Sequence, residues 1–302
     1  MLTNPPDVLF VPSHVLPLVT PRASVVVVYD VGHRFFPRAH TLTEWLYVEW
    51  AIRRHVRVAS RLLTISEASK RDLVRLYAAD PSGIDVAYPA VDEHFKPAGA
   101  AHICRLRERY SLPDRYVLHV GTIKPRKNLP RLVRAFEAAR LPNDVHLVLG
   151  GMTTFGAHAV EAAIQQAGIE ARVQRLAYVP DEDLPALYSG AAAVAIVSLY
   201  EGFGMPALEA LACGAPLVAS NRGSLPEITG DAAVIVDPLD VGSIARGLET
   251  IVNDPERVRT LRARGLERAK DFDWSTAATV TRTALERAAG TPLPFARRSA
   301  AS

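Results

Sequence analysis

Short runs of valine, isoleucine, leucine and alanine recur along the chain, each followed by a longer stretch whose apolar residues return every three or four positions. The run "SVVVVYD" (24–30) shows no alternation of apolar and polar residues, as expected of a strand buried on both faces. The same reading predicts strands at 61–66, 84–89, 116–121, 145–151, 173–179, 192–198, 216–220 and 232–237. Helices are predicted at 41–60, 67–78, 128–140, 158–167, 183–190, 206–213, 241–253, 255–270 and 275–289. Strand–helix alternation of this kind predicts an α/β protein with parallel sheets and right-handed crossovers.

The rhythm breaks at "KPAGAA" (96–101). From about 115 to 240 the pattern holds six strands, enough for one doubly wound unit, whereas only three strands are predicted before residue 96. The first part therefore reads as the back half of a second Rossmann-like domain whose opening strands are absent from this chain. Its strand edge would be exposed unless something such as a partner chain covers it, so the reading leaves open a truncated gene product, a wrongly assigned start or a subunit that needs a partner. The predicted organisation is a partial N-terminal domain at 1–97 and a C-terminal domain at 98–275. Residues 276–302 follow as a helix crossing back to the first domain and a disordered tail.

At 302 residues, 49% hydrophobic and 22% charged, the chain has the composition of a soluble globular protein. Its net charge of +3 is spread along the sequence. That excess suits an anionic small ligand or an anionic membrane surface and falls short of a nucleic-acid footprint. Cys104 and Cys213 stand apart from any His/Cys cluster, which argues against a zinc site or a disulfide and for a reducing compartment. The N-terminal apolar stretch is broken by Pro12, His14 and Pro17, so it reads as neither signal peptide nor membrane span. No metal-ligand spacing, G-x-S-x-G elbow or Walker loop is present, and no G-x-G-x-x-G follows a first strand, which disfavours an NAD-dependent enzyme.

Ligands of open α/β sheets bind beyond the carboxyl ends of strands. Three strand ends here carry polar chemistry. In "HVGTIKPRKNLPRL" (119–132), Gly121 ends a strand, and Lys124, Arg126 and Lys127 precede a helix with Asn128 as expected cap and Pro130 in its first turn. Such a loop can neutralise a diphosphate, though lysine and arginine loops are as often merely solvated. In "SLYEGFGMPALEALACG" (198–214), Gly202 and Gly204 allow close backbone approach to a ligand. Glu209, one turn into the helix, and Glu201, ahead of it, can accept hydrogen bonds from sugar hydroxyls; for Glu209, compensation of the helix dipole is the plain alternative. In "NRGSLPEITGDAAVIVDP" (221–238), the backbone after the strand can cover a phosphate or ribose, and Glu227 reads as a capping or surface residue.

These segments resemble a known family. "EGFGMPALE" matches the E-x7-E motif of the family 4 (group 1) retaining glycosyltransferases. "VGTIKPRKN" resembles that family's donor-phosphate loop, and "NRGSLPEITGDAAVIVDP" its next nucleotide-contacting loop. "VVVVYDVGHRFFP", "TISEASKRDL" and "VAYPAVDEHFKP" resemble its later N-domain segments and interdomain link, so the similarity runs from near residue 7 to about 285.

The resemblance implies a GT-B fold of two Rossmann-like domains, with 1–97 on the acceptor side and 98–275 binding the nucleotide sugar. It implies transfer of a hexose, of mannose or glucose type, from a nucleotide-diphosphate sugar to a glycan or lipid-linked acceptor in bacterial surface polysaccharide assembly. Retention at the anomeric carbon is implied, with no metal and no other cofactor. By position, Lys127 would hold the diphosphate with help from Arg126, and Glu209 the ribose. Glu201 with Gly202, Phe203, Gly204 and Met205 would hold the donor sugar, while Gly121, Thr122, Ser224 and Leu225 line the donor. Thr122 stands where many relatives carry arginine. Tyr29, beside Asp30, stands where relatives carry a histidine near the donor sugar, and His33 follows closely. The alternative reading is a catalytically impaired nucleotide-sugar-binding remnant, or a subunit that needs a partner.

The expected location is the cytoplasm, with peripheral contact at the inner face of the membrane. The segment "TLTEWLYVEWAIRRHVRVASR" (41–61) is aromatic early and basic late, which suits an anionic surface. The stronger expectation packs Leu42, Leu46, Trp50 and Ile52 onto the sheet and leaves Arg53, Arg54 and Arg57 solvated.

Overall fold

The computed structural model describes residues 6–13, 15–152 and 156–290. The chain runs β1 (Leu9–Val11), β2 (Ser24–Val27), α1 (Gly32–Phe35), α2 (Leu42–Val58), β3 (Arg61–Thr64), α3 (Glu67–Tyr77), β4 (Ile84–Val86) and α4 (Ala100–Tyr110). It continues β5 (Arg115–Val120), α5 (Leu129–Ala138), β6 (Val145–Gly150), α6 (Ala157–Ala167), β7 (Val173–Leu176), α7 (Leu184–Ser189) and β8 (Ala193–Ile196). The rest is α8 (Met205–Ala212), β9 (Leu217–Ser220), α9 (Leu225–Thr229), β10 (Ala233–Val236), α10 (Val241–Val252), α11 (Pro255–Ala269) and α12 (Trp274–Ala289).

Two compact units divide these elements: residues up to Pro89 together with those from Trp274 onward, and Ala90–Asp273. The first holds a four-stranded parallel sheet in the order β1-β2-β3-β4. One face packs Val26, Leu62 and Leu73 with Ile52 of α2. On the other face Val25 and Leu63 meet Ala284 of α12, and Arg287 of that helix bonds Asp85 of β4. β1 is a strand the sequence pattern did not mark, because Pro12 cuts its apolar run to four residues, 8–11.

The second unit carries a six-stranded parallel sheet in the order β10-β9-β8-β5-β6-β7. Its centre is dry on both faces. On β5, Val117 points into the core shared with α5, α6 and α10, while Tyr116 and Leu118 point into the core shared with α4, α7 and α8. This two-sided burial is why the strands read as unbroken apolar runs.

The first boundary lies earlier in the structure than the break at 96–101. Residues 90–97 pack with the second unit because Phe95 sits against Tyr188, ring centroids 6.5 Å apart, and Ala98 N–H donates to Ser189 Oγ at 2.9 Å. α4 follows at once, a helix hidden from the pattern because Leu106 is its one fully buried residue. The tail at 291–302 lies outside the described residues.

α2 departs from the expected packing. Ile52 is buried, but Leu42, Leu46 and Trp50 are exposed, so the expectation that all four pack onto the sheet is corrected. Trp45 takes the inward aromatic position instead, its Nε1–H donating to His33 O at 3.1 Å.

Candidate functional site: the switch point of the six-stranded sheet

Strand order reverses between β5 and β8, because the chain builds β6 and β7 on one side of β5 and then crosses to the other. At such a switch point the two flanking loops diverge and leave a crevice at the carboxyl edge of the sheet. The loop after β5 is 121–128 and the loop after β8 is 197–204, so the two richest polar segments of the sequence meet there.

The two loops are fastened to each other. Leu199 N–H donates to Arg126 O at 2.8 Å, and the Arg126 guanidinium donates to Tyr200 O at 3.3 Å. Pro125–Lys127 forms a 3-10 turn that leads into Asn128 at φ 63°. Asn128 makes no side-chain cap on α5, contrary to expectation. Its amide instead donates to Val197 O at 3.1 Å and Pro238 O at 2.7 Å, tying three strand ends together.

Glu201 is the centre of the cluster and is 4% exposed. Lys127 Nζ donates to Oε1 at 2.6 Å, Ser198 Oγ–H donates to the same oxygen at 2.7 Å, and Arg126 donates to Oε2 at 2.5 Å. Burial pushes the carboxyl pKa up, but Lys127 and Arg126 outweigh it, and the pKa lies below the ordinary value. Two cations against one carboxylate leave the cluster net positive, and Lys127 is itself buried. Such a pair is costly to bury and useful when an anion arrives to take over the cations.

Close backbone approach shapes the crevice. At Gly151 (φ +138°) a Cβ would meet Gly121 O at 2.3 Å, so no side chain fits where the loop after β6 crosses the end of β5. At Gly223 (φ +60°) a Cβ would meet Glu201 O at 2.6 Å and Glu201 N at 2.9 Å. Ser224 is fully buried, and its Oγ–H lies 2.6 Å from Phe203 O while its N–H donates to Glu201 O at 3.2 Å. Leu225 is likewise buried, 2.7 Å from a Cβ built on Gly204 (φ +97°). Ser224 and Leu225 thus clamp the Gly202–Gly204 loop from behind. Phe203 points inward, edge-on to Phe272 at 5.8 Å. Met205, half-buried, opens α8.

Glu209 lies on α8 and accepts from Tyr188 Oη–H at 2.7 Å. Burial raises its pKa, with the tyrosine bond opposing. Lys127, Asp181 and His94 all act on its charge. The latter two line a cleft of about 560 Å³ with Lys96, His102 and Pro185.

The structure therefore brings Gly121, Arg126, Lys127, Glu201 and the glycine loop together, with Thr122 half-buried beside them. Tyr29 belongs to the other unit, at the carboxyl end of β2, and is 51% exposed. His33 does not stand in for a histidine there: it is buried and bonded to Glu49 at 3.1 Å and Tyr77 at 3.1 Å. Sequence reasoning missed Ser198 and His119. His119 is a lone polar residue inside the apolar run of β5, which was its signal. It is buried, with Nδ1 2.9 Å from Ala195 O and no partner at Nε2, and burial lowers its pKa to about 4. A carbonyl only accepts, so Nδ1 carries the proton and Nε2 is a bare lone pair. Among the described residues no group of three His, Cys, Asp or Glu side chains is placed to hold a metal ion.

A doubly wound unit with a cation–carboxylate cluster and a glycine-bracketed helix start at its switch point is an α/β domain of the kind found in GT-B glycosyltransferases. A family model described as glycosyl transferases group 1 matches residues 106–268, more than half of the chain, and the protein belongs to that family. It is 33% identical over 273 residues to O-antigen chain mannosyltransferase B of Escherichia coli, spanning 89% of this chain and 71% of the relative. It is 38% identical over 235 residues to D-inositol 3-phosphate glycosyltransferase of Salinispora tropica, spanning 72% of this chain and 48% of the relative. The MMP alpha-(1->4)-mannosyltransferase of Mycolicibacterium hassiacum is 33% identical over 242 residues, at 78% and 56% of the two chains. The chain thus spans about half the length of the latter two.

Among solved structures, Anabaena Alr3699/HepE in complex with UDP and glucose superposes with TM-score 0.75 at 23% identity, covering 89% of this chain and 72% of that one. WaaG, a glycosyltransferase involved in lipopolysaccharide biosynthesis, gives TM-score 0.73 at 16% identity, covering 95% and 79%. Both likenesses carry the GT-B fold.

Proposed function

We propose that the protein transfers a hexose, of mannose or glucose type, from a nucleotide-diphosphate sugar to a hydroxyl of a glycan or lipid-linked acceptor in surface polysaccharide assembly, with retention at the anomeric carbon. The observation that carries this reading is the Lys127–Glu201–Arg126 cluster at the β5/β8 switch point. Departure of a nucleoside diphosphate puts charge on its oxygens, and prepositioned Lys127 and Arg126 stabilise that charge at no cost of reorganising solvent. Glu201, released from the cations, orients sugar hydroxyls together with the Gly202–Gly204 backbone. Glu209 takes the ribose, and the adjoining cleft the rest of the nucleoside. The glutamates act as binders, with the cations of this chain carrying the leaving group, and no metal is assigned a role. The mannosyltransferase names of the relatives and the UDP held by a structural neighbour support the choice of substrates. The reaction is placed on the cytoplasmic side, at the inner face of a membrane.

A second reading rests on Tyr29, the family's histidine position: a phenol hydrogen-bonds but takes no positive charge near neutral pH. On that reading the chain binds donor and turns over only with a partner, or not at all.

The test is a thermal-shift and turnover screen of GDP-, UDP- and ADP-sugars. A donor at about 100 times its Kd adds about 2.7 kcal/mol of stability. Stabilisation by one nucleotide class with sugar transfer supports the first reading. Stabilisation without turnover, unchanged in Tyr29→His, supports the second. No stabilisation by any of them removes both.

A further inference from the structure

A buried polar atom with no partner is costly, and native folds keep few of them. His119 carries one at the carboxyl end of β5. The side chain is 1% exposed, and among the described residues its Nε2 has no hydrogen-bond partner. The other ring nitrogen has a structural task. β5 and β8 pair at Val117–Ala193 and Leu118–Val194, and beyond that point they part. The Nδ1–H of His119 spans the split and donates to Ala195 O at 2.9 Å. That bond explains a polar residue at this position, since asparagine or histidine can make it, but it leaves the Nε2 lone pair unexplained.

The lone pair borders the donor crevice. A Cβ built on Gly121 would lie 3.7 Å from His119 Nε2, 3.7 Å from Lys127 Nζ and 3.6 Å from Lys127 Cε. Both nitrogens therefore flank the place a Gly121 side chain would take, at a separation that rotation of the lysine's four-carbon stem can close. The charges acting on the ring are those of Lys127 and Glu201. The two cations of the cluster are anchored unequally. Arg126 donates to Tyr200 O at 3.3 Å as well as to Glu201, whereas the Lys127 ammonium, with three protons to give, is held by Glu201 Oε1 at 2.6 Å. If Glu201 turns to a sugar hydroxyl, Arg126 keeps an anchor and Lys127 needs another.

We propose that His119 is a positioning residue for Lys127: when a diphosphate draws the ammonium off Glu201, one of its N–H groups turns to His119 Nε2, which holds the cation at the strand end. A neutral acceptor suits this task better than a charged one. A second carboxylate would cancel the charge that the leaving diphosphate needs, and an imidazolium would repel the ammonium. The ring stays neutral because its one proton is committed to Ala195 O and burial disfavours a second. Lys127 thus has two resting places, a carboxylate that neutralises it in the free protein and an imidazole that leaves its charge whole in the complex. The bond gives orientation, and the cation still acts on the phosphate oxygens. The inference rests on the reading of Lys127 as the diphosphate-binding cation given above; the bond itself requires an anion in the crevice and no turnover.

The experiment titrates the 302-residue chain with inorganic pyrophosphate and follows the histidine ring nitrogens by ¹⁵N NMR. In the free protein the Nε2 resonance of His119 should be that of a bare pyridine-type nitrogen, and pyrophosphate should move it upfield as the nitrogen gains a donor. In Lys127→Met it should stay where it is. Calorimetry with the same probe separates positioning from structure. His119→Asn keeps a donor for Ala195 O and removes the acceptor, whereas His119→Gln sets an amide oxygen near the Nε2 position. Pyrophosphate affinity should fall roughly tenfold in His119→Asn, the worth of a hydrogen bond to a charged group, and should stay close to the parent's in His119→Gln. An Nε2 resonance that does not move at any pyrophosphate concentration overturns the proposal, as does one that moves equally in Lys127→Met. So does the reverse order of the variants, with Asn at parental affinity and Gln impaired, since the ring would then serve only to bridge β5 and β8. Donor stabilisation and sugar transfer, measured separately on the parent, report on the transferase reading whichever way the ring nitrogen behaves.

Discussion

Lys127 Nζ lies 2.6 Å from Glu201 Oε1, and both side chains are withdrawn from water. Removing one member of a buried pair strands the other, at a cost of about 3–5 kcal/mol in comparable cases. Here Arg126 and Ser198 remain on Glu201, so Lys127→Met should cost about 3 kcal/mol or less in urea unfolding. Its effect on sugar transfer should be larger, on the order of a hundredfold in kcat, because the leaving diphosphate loses its buried cation. A variant that loses stability but keeps full kcat would remove Lys127 from the proposed chemistry.

The two glutamates should respond to pH with opposite signs. The Glu201 pKa is depressed in the fold, so its stabilisation is present above the unfolded value near 4.3 and is lost as pH falls through the lower folded value. The Glu209 pKa is raised, so the folded state holds its proton more tightly, and stability falls as pH rises from about 4.3 through the folded value. Urea midpoints of the parent, Glu201→Gln and Glu209→Gln across the acid range check this. The parent's advantage over Glu201→Gln should grow with pH, and its advantage over Glu209→Gln should shrink.

Much of this site was legible in the sequence because its parts are local. The strand-end glycine, the basic turn and the E-x7-E segment each sit in one stretch, and the apolar runs of β5 and β8 fix which edge they share. What escaped notice depends on contacts between distant segments. Gly151 looks like any glycine at a strand end until its 2.3 Å clash with Gly121 O is seen. Asn128 has the composition of a cap, and only the proximity of Val197 and Pro238 diverts its amide. α2 misled for a related reason: periodicity identifies a stripe but not which way it faces, and Glu49's three partners on other helices, His33 and Arg34 of α1 and Tyr77 of α3, decided that.

Two buried histidines should make the fold acid-sensitive. Burial lowers the pKa of both His55 and His119 to about 4, against an unfolded value near 6.5. The unfolded chain therefore binds more protons between those values, and stability is lost as pH falls from about 6.5 towards 4. Each histidine accounts for up to about 3 kcal/mol of that loss. His119→Leu should flatten the fall by its own share. In NMR spectra of the parent, His119 should remain neutral with its proton on Nδ1 down to pH 5, and an imidazolium signal above that pH would contradict the assignment.

Gly151 and Gly168 separate the cost of backbone conformation from the cost of crowding. Both have positive φ, +138° and +63°, so alanine is strained at either. Gly168 ends α6 with nothing within 4 Å of a built Cβ, and Gly168→Ala should cost only the left-handed backbone term, about 1–2 kcal/mol. At Gly151 the added carbon lies 2.3 Å from Gly121 O and 2.7 Å from Gly121 C, neither of which is a movable side-chain end. Relief requires the loops after β5 and β6 to part, which displaces Gly121 from beside Lys127. Gly151→Ala should therefore cost about 3 kcal/mol or more in urea unfolding and should also weaken nucleotide-sugar binding. Gly168→Ala, on the far end of its helix, should leave that binding unchanged. Equal losses of stability in the two variants, with donor binding intact in both, would show that the contact between Gly151 and Gly121 does not shape the donor crevice.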